Sequence, residues 1–378
     1  MNIPDYPILR TDDEHTGLRH EVRSFLDGAL TNLPASERAR SWIGFDADFS
    51  AELGKRGWLG MTLPKEYGGQ GRSPIERHIV VEELLAAGAP VAAHWIADRQ
   101  SAPVILNYGT EAQRHEILPR IAAGTCFFGI GMSEPGSGSD LASARTRAEK
   151  IQGGFLLNGT KLWTTYAHKA DYMIVFCRTG ASESRHGGFS QMLVDMSLPG
   201  IRVSPVLDIA GEHHFNEVSF TDVELPEDAL LGEEGQGWAQ VMSELAFERS
   251  GPDRFLSSFV LIGELLRCLE GQGGQIAASE LGRMTARLMV LRQMSLSVAG
   301  RLAQKEDPVL ASSVIKDLGA TLEQDIPEIA RRILAPVAQD PAYAATFQRI
   351  VLSAPSFSLR GGTREILRGI IARGLGLR

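Results

Sequence analysis

The chain has 378 residues, 43% hydrophobic and 22% charged, with 40 glycines and 18 prolines. These proportions exclude a disordered, collagen-like or low-complexity chain, and the length corresponds to roughly two to three domains. With 38 Lys and Arg against 46 Asp and Glu, the formal net charge of −8 supplies no general drive toward nucleic acid or anionic membranes. Cys126, Cys177 and Cys268 are too widely spaced for a CxxC metal site and too few for a disulfide framework, which points to a reducing compartment. The N-terminus turns acidic before a signal-peptide core can form, and no stretch approaches the ~18 apolar residues of a membrane span. A soluble, cytoplasmic protein without a membrane span is expected.

In chain order, helical periodicity predicts segments near 14–29, 46–57, 75–87, 92–107 and 110–122, separated by breakers such as Asn32-Leu33-Pro34 and Gly68-Gly69. Thr110 ahead of Glu111, with Ile117, Leu118 and Ile121 on one face, marks a helix start. From about residue 128 the texture changes to short β-branched and aromatic runs (FFGIGM, FLLNG, YMIVFC, FSQMLVDM, FNEVSF) punctuated by turn residues. Closely spaced strands without helical periods between them favour a compact antiparallel sheet or barrel over a doubly wound sheet. After Gly237 helices return, and Leu281, Met284, Leu288, Leu291, Ser295, Val298 and Leu302 form one core stripe. Gly361-Gly362 leads into a last helix over 363–375. The expectation is an α+β multidomain chain: an N-terminal helical bundle over 1–127, a central antiparallel β-barrel or sheet domain over 128–236, and a C-terminal helical bundle over 237–378.

Several phrases, at their relative positions, resemble the acyl-CoA dehydrogenases, a family of FAD flavoproteins. They are GWLGMTLPKEYGGQG (57–71), SAPVILNYGTEAQRHEILPRIAAG (101–124), GIGMSEPGSGSDLASARTRAE (129–149), LLNGTKLWTTYAHKADYMIVFCRT (156–179), VSFTDVELPEDALLGEEGQGW (218–238) and GGTREILRGIIARGLGL (361–377). Small and hydroxyl residues in Ser133–Asp140 let backbone N–H groups approach a ligand closely. The resemblance implies that Met132 and Ser133 meet the flavin pyrimidine and that Ser139 lies near the pyrophosphate or the substrate. It also implies that Trp163 covers the isoalloxazine, that the Thr165 hydroxyl reaches the N5 edge, and that Thr363 and Glu365 sit over the dinucleotide. The implied activity is oxidation of an acyl-CoA thioester to its trans-2-enoyl-CoA, within fatty acid or lipid metabolism.

That reaction needs one carboxylate over the substrate α-carbon and hydrogen bonds to the thioester oxygen. In most of the family the base is the Glu directly before the Gly-Thr that opens the last helix; here that position is Gly361, whose N–H can still serve the thioester oxygen. The isovaleryl-CoA and long-chain enzymes project the base from the first long C-terminal helix, and the matching phrase SELAFERSGPDRF (243–255) places Glu248 there, followed by Arg249. Glu244, one turn earlier, is the competitor. Arg99 and Arg249 are candidate substrate contacts; His94 and Trp95 share the helix of Arg99. His213 and His214 are adjacent on a strand and so point to opposite faces, which argues against a shared metal site.

The family's Arg-x-x-Phe-Gly and Gln-x-x-Gly-Gly-x-Gly phrases, which reach the FAD of a neighbouring subunit, are absent. Gln324, Lys316, Arg283 and Arg287 are candidate replacements. The implied partners are an acyl-CoA substrate, an electron-transfer flavoprotein as electron acceptor, and either further copies of this chain in a dimer or tetramer or a homologous subunit in a heteromer. A catalytically incomplete subunit of such a heteromer, or another flavin reaction such as desulfination, is the alternative function.

Overall fold

The structure, a computed structural model, describes residues 4–9, 13–181, 184–271, 274–334 and 340–377, with the side chains of Glu14 and of 243–248 outside that description. The chain divides into two compact units. One comprises Ala47–Gly71 and Ala93–Glu244; the other comprises Met1–Asp46, Arg72–Ala92 and Leu245–Arg378.

The first unit is built on a seven-stranded sheet: β1 (Phe128–Gly131), β2 (Arg147–Ile151), β3 (Gly154–Thr165), β4 (Tyr172–Arg178), β5 (Phe189–Asp195), β6 (Ile201–Leu207) and β7 (His213–Pro226). Its order is β1-β4-β2-β3-β7-β6, with β5 also paired to β4. The expected antiparallel pairing holds for β2·β3, β3·β7, β4·β5 and β6·β7, whereas β1 and β2 run parallel to β4, so the sheet is mixed. β2 carries no alternating apolar signal, burying only Ala148, and in β6, an edge strand, the alternation begun by Ile201 and Val203 is broken at Pro205. Two register shifts interrupt β3·β7, one between Leu157 and Gly159 and one between Lys161 and Thr164. At the first, Gly159 has φ +145 and a Cβ there would lie 2.5 Å from Thr146 Oγ1, so only glycine fits.

Helices pack on this sheet. Helix Glu111–Ala122 opens as expected on Thr110, whose hydroxyl accepts from Gln113 N at 3.2 Å while Gln113 Oε1 accepts from Thr110 N at 2.9 Å. Its Ile117, Leu118 and Ile121 share a core with Val104, Ile105, Phe128, Ile174 and Leu193. The continuous helix expected over 92–107 is instead two helices, Ala92–Ile96 and Ala102–Tyr108, joined by a π-helical turn over Ala97–Ser101. Pro103 explains the interruption: it has no N–H for the Arg99 carbonyl, and its ring crowds that oxygen.

The second unit is helical. Helix Pro74–Ala87 starts from a capping box formed by Ser73 and Glu76, and helix Gln275–Ala303 packs against it. Of the expected stripe, Met284, Leu291, Ser295 and Val298 are buried and Leu281, Leu288 and Leu302 half-buried. A polar seam crosses this packing. Glu82 receives Arg292 at 2.6 Å and Arg19 at 2.8 Å, while His78 Nε2 lies 2.9 Å from the Ser295 hydroxyl, which donates onward to the Ser250 carbonyl.

Burial pushes the His78 imidazole down to about 4, against the opposing pull of Glu82. The neutral ring is the folded form, whereas in the unfolded chain it charges below about 6.5. Stability from this group is therefore complete above pH 6.5 and is lost as pH falls toward 4, by up to about 3 kcal/mol. Denaturant unfolding at pH 7 and pH 4 is expected to show that much less acid sensitivity in His78→Gln than in the parent; equal pH slopes would contradict it.

Candidate functional site

The sheet unit brings the expected flavin phrases together through contacts the sequence did not announce. Leu162 N donates to the Ser133 carbonyl at 2.9 Å, joining the loop after β1 to β3. Beneath that junction Lys161, fully buried, donates from Nζ to the Met132 carbonyl at 3.1 Å and to Glu134 Oε1 at 2.9 Å. Glu134 also accepts from Arg145 N at 2.7 Å and Thr146 N at 2.9 Å. Burial pushes the Glu134 carboxyl up, but Lys161 and these N–H groups outweigh it and hold the pKa below the usual range. Burial lowers Lys161, with Glu134 opposing.

The Met132 and Ser133 carbonyls are thus both turned inward and occupied. Among the described residues the hydroxyls of Ser133 and Thr165 have no hydrogen-bond partner, and Trp163, at φ +63, is 53% exposed. An exposed indole next to a segment with unspent hydroxyls fits a flat, polar-edged aromatic ligand. Ser139 lies exposed on the loop beyond the tight Glu134–Ser137 bridge, where Gly136 and Gly138 face open space. His213 and His214 diverge as expected: His213 is exposed and stacks on His168, with ring centres 4.0 Å apart, while His214 is buried. Arg99, on the π-helical turn, lies over the Trp95 ring at 4.5 Å.

The helical unit holds the other expected residues. Glu248 ends helix Gly237–Glu248, and its side chain, like that of Glu244, lies outside the described residues. Arg249 follows it, 3% exposed, and donates from Nε to the Gly361 carbonyl at 3.0 Å. Gly361 and Gly362 have φ +70 and +100, and a Cβ on Gly362 would lie 3.2 Å from Arg249 Nη2. Both glycines are therefore conformational requirements as well as a loop into the last helix. Thr363 is the N-cap of helix Arg364–Gly374. The exposed Glu365 carboxyl is held below its ordinary range by its own backbone N–H and by the Thr363 hydroxyl.

This loop is fixed from behind. Arg360 stacks on Trp42 at 4.1 Å and Phe357 at 4.8 Å, and donates to Glu323 Oε2 at 3.0 Å and to the Ser257 hydroxyl. Lys316, 1% exposed, donates to the Phe357 carbonyl at 2.7 Å. Gln324 donates to the Ala354 carbonyl and the Ser358 hydroxyl, both at 3.2 Å. Lys316 and Gln324 are thus committed inward to the segment before Gly361, which argues against cofactor contacts from either. Arg287 pairs with Asp325 at 2.8 Å, and Arg283 is exposed. Among the described residues no helix is long and apolar enough to cross a membrane, and no group of three His, Cys, Asp or Glu could hold a metal ion.

Sequence reasoning missed Glu134 and Lys161, which support the expected segments of the sheet unit, and Glu323 and Arg360, which support the loop before the last helix in the helical unit. The available signal was Lys161 itself, a lone charge at an inward position of a strand whose neighbours alternate.

Comparison with known proteins defines the class. The N-terminal, middle and C-terminal domains of acyl-CoA dehydrogenase match residues 12–125, 129–223 and 235–376. Acyl-CoA dehydrogenase IpdE1 of Mycobacterium tuberculosis is 33% identical over 353 residues, covering 91% of this chain and 89% of that protein. The steroid ACAD Tcur3481-Tcur3483 superposes with a TM-score of 0.87 at 28% identity, covering 98% of this chain and 99% of that one. The ChsE4-ChsE5 complex from Mycobacterium tuberculosis gives 0.84 at 30% identity, with 98% and 99% covered. The protein is thus a flavoprotein oxidoreductase acting on acyl-CoA. It belongs to the acyl-CoA dehydrogenase family, whose members carry FAD.

Proposed function

We propose that the chain catalyses α,β-dehydrogenation of an acyl-CoA thioester to the trans-2-enoyl-CoA, with Glu248 as the base. The observation that carries this reading is the bond from Arg249 to the Gly361 carbonyl. Within one helical unit it ties the residue after Glu248 to the position from which most of the family draws its base. Arg249 thereby orients both positions. The Gly361 N–H donates to the thioester oxygen, which lowers the cost of placing negative charge there. The α-proton passes to the Glu248 carboxylate, which gains basicity where water is excluded. FAD, when bound, supplies the acceptor for the β-hydrogen as hydride. Met132, Ser133, Trp163 and Thr165 would hold the ring system, and Ser139, Thr363 and Glu365 the rest of the dinucleotide.

The likeness to a protein described as a steroid ACAD supports a bulky, steroid-derived acyl group. Arg99 is the residue on this chain suited to a polar or carboxylate terminus of it. An electron-transfer flavoprotein takes the electrons onward, in the cytoplasm.

A second reading is favoured by the two-chain neighbours, Tcur3481-Tcur3483 and ChsE4-ChsE5. In it this chain works beside a homologous subunit that supplies the missing adenine-side phrases. Light scattering on the chain expressed alone, combined with flavin content, separates the two. A stable oligomer holding close to one FAD per chain supports self-assembly. A flavin-poor species that fills only when a homologue is added supports the heteromer. A folded chain that takes up no FAD in either setting would overturn both.

A further inference from the structure

The second register shift in β3 leaves Trp163 in the left-handed region, which a bulky residue adopts only where its surroundings enforce it. The segment is enforced at its next residue. Asn216, fully buried on β7 and paired in register with Thr164, donates from Nδ2 to the Thr164 carbonyl at 3.0 Å. A carbonyl can only accept, so the amide nitrogen must face Thr164 and the amide oxygen must face away from it. That oxygen lies 3.0 Å from His168 Nδ1 and 2.8 Å from His213 Nε2. Both ring nitrogens therefore carry hydrogen and donate, and the two stacked imidazoles fix which way the amide points. Trp163 is braced on its other side by an edge-to-face contact with Phe215, the residue before Asn216, at 5.6 Å between ring centres.

We propose that Asn216, oriented by His168 and His213, is a positioning residue for the flavin wall: by holding the Thr164 carbonyl it keeps Trp163 and Thr165 presented from the bulge. The inference rests on the proposed role of Trp163 against the flavin. The ladder pairs Thr164 with Asn216 but leaves residues 162 and 163 between the paired positions Lys161 and Thr164, so the side-chain bond adds a second hold at the edge of the unpaired stretch. Replacing the amide by a carboxylate keeps the shape but sets an oxygen against the Thr164 carbonyl, removing the donor and adding repulsion.

The test uses the FAD-loaded chain, reading the fluorescence yield of the flavin that remains bound, since an indole stacked on a flavin quenches it. Asn216→Asp is expected to raise that yield several-fold, and His213→Phe, at a more exposed position, to raise it less but in the same direction. Trp163→Leu is expected to raise it most, and adding Asn216→Asp to Trp163→Leu to change it no further. A purely structural role would lower thermal stability or FAD affinity while leaving the yield of bound flavin unchanged. If Trp163→Leu raises the yield but neither Asn216→Asp nor His213→Phe does, the positioning role is overturned. If Trp163→Leu leaves the yield unchanged, the flavin-wall reading has failed instead. Should Asn216→Asp not fold, His213→Phe alone decides on the same readout.

Discussion

Lys161→Met is expected to destabilise the sheet unit by about 3–5 kcal/mol, because it leaves the buried Glu134 carboxylate without its cation. Lys161 and Glu134 are 0% and 7% exposed at the side chain and 2.9 Å apart, so water cannot take over the lost interaction. The Met132 carbonyl loses its donor in the same step. Thermal unfolding followed by near-ultraviolet circular dichroism should show a large drop in midpoint. Adding Glu134→Gln should restore part of it, since the second charge is then gone; the recovery stays incomplete because Arg145 N and Thr146 N bond different carboxylate oxygens and the amide has only one oxygen to accept with. A single variant as stable as the parent would show that the pair is not a buried ion pair. A double variant no better than the single one would show that the cost lies in packing.

Glu248→Gln should reduce flavin reduction by an acyl-CoA by roughly 10²–10⁴-fold, the usual contribution of a positioned general base. The amide keeps the carboxylate's shape with negligible basicity, so FAD affinity and thermal midpoint should stay close to those of the parent. Stopped-flow absorbance on the FAD-loaded chain reads the effect directly. Glu244→Gln should do little. The reverse pattern would move the base one helical turn, and no effect from either would place it elsewhere.

The large divisions of the fold were readable because periodicity changes where the chain passes from helix to sheet and back. The helix start at Thr110 has capping chemistry visible in the sequence, and the core stripe of helix Gln275–Ala303 has the spacing of its buried face. β2 and β6 were not readable, because a strand that buries one alanine has no alternation to detect, and in β6 the alternation of Ile201 and Val203 is cut short by Pro205. Nor was the π-helical turn at Ala97–Ser101, since its cause, Pro103, ordinarily marks a helix start.

The residues expected at the site came from phrases, whereas the residues that hold them came only from the structure. Lys161 and Glu134 are 27 positions apart. Arg360 and Glu323 are 37 apart, and Asn216 and Thr164 are 52 apart. No local pattern couples such pairs. Arg249 shows the same limit. It was expected as a substrate contact; its burial and its bond to the Gly361 carbonyl, 112 positions along the chain, are visible only in the structure.

The central claim is that this chain, loaded with FAD, takes two hydrogens from an acyl-CoA. Anaerobic mixing of the FAD-loaded protein, alone or with its homologous subunit, with straight-chain, branched and steroid-side-chain acyl-CoA thioesters tests it most directly. The oxidised flavin absorbance is expected to be lost with at least one of them, fastest with the bulky steroid-derived thioester. Mass spectrometry should then find a product lighter by two hydrogens, with both signals absent in Glu248→Gln. Flavin that stays oxidised with every thioester, or bleaches without an enoyl-CoA product, would contradict it.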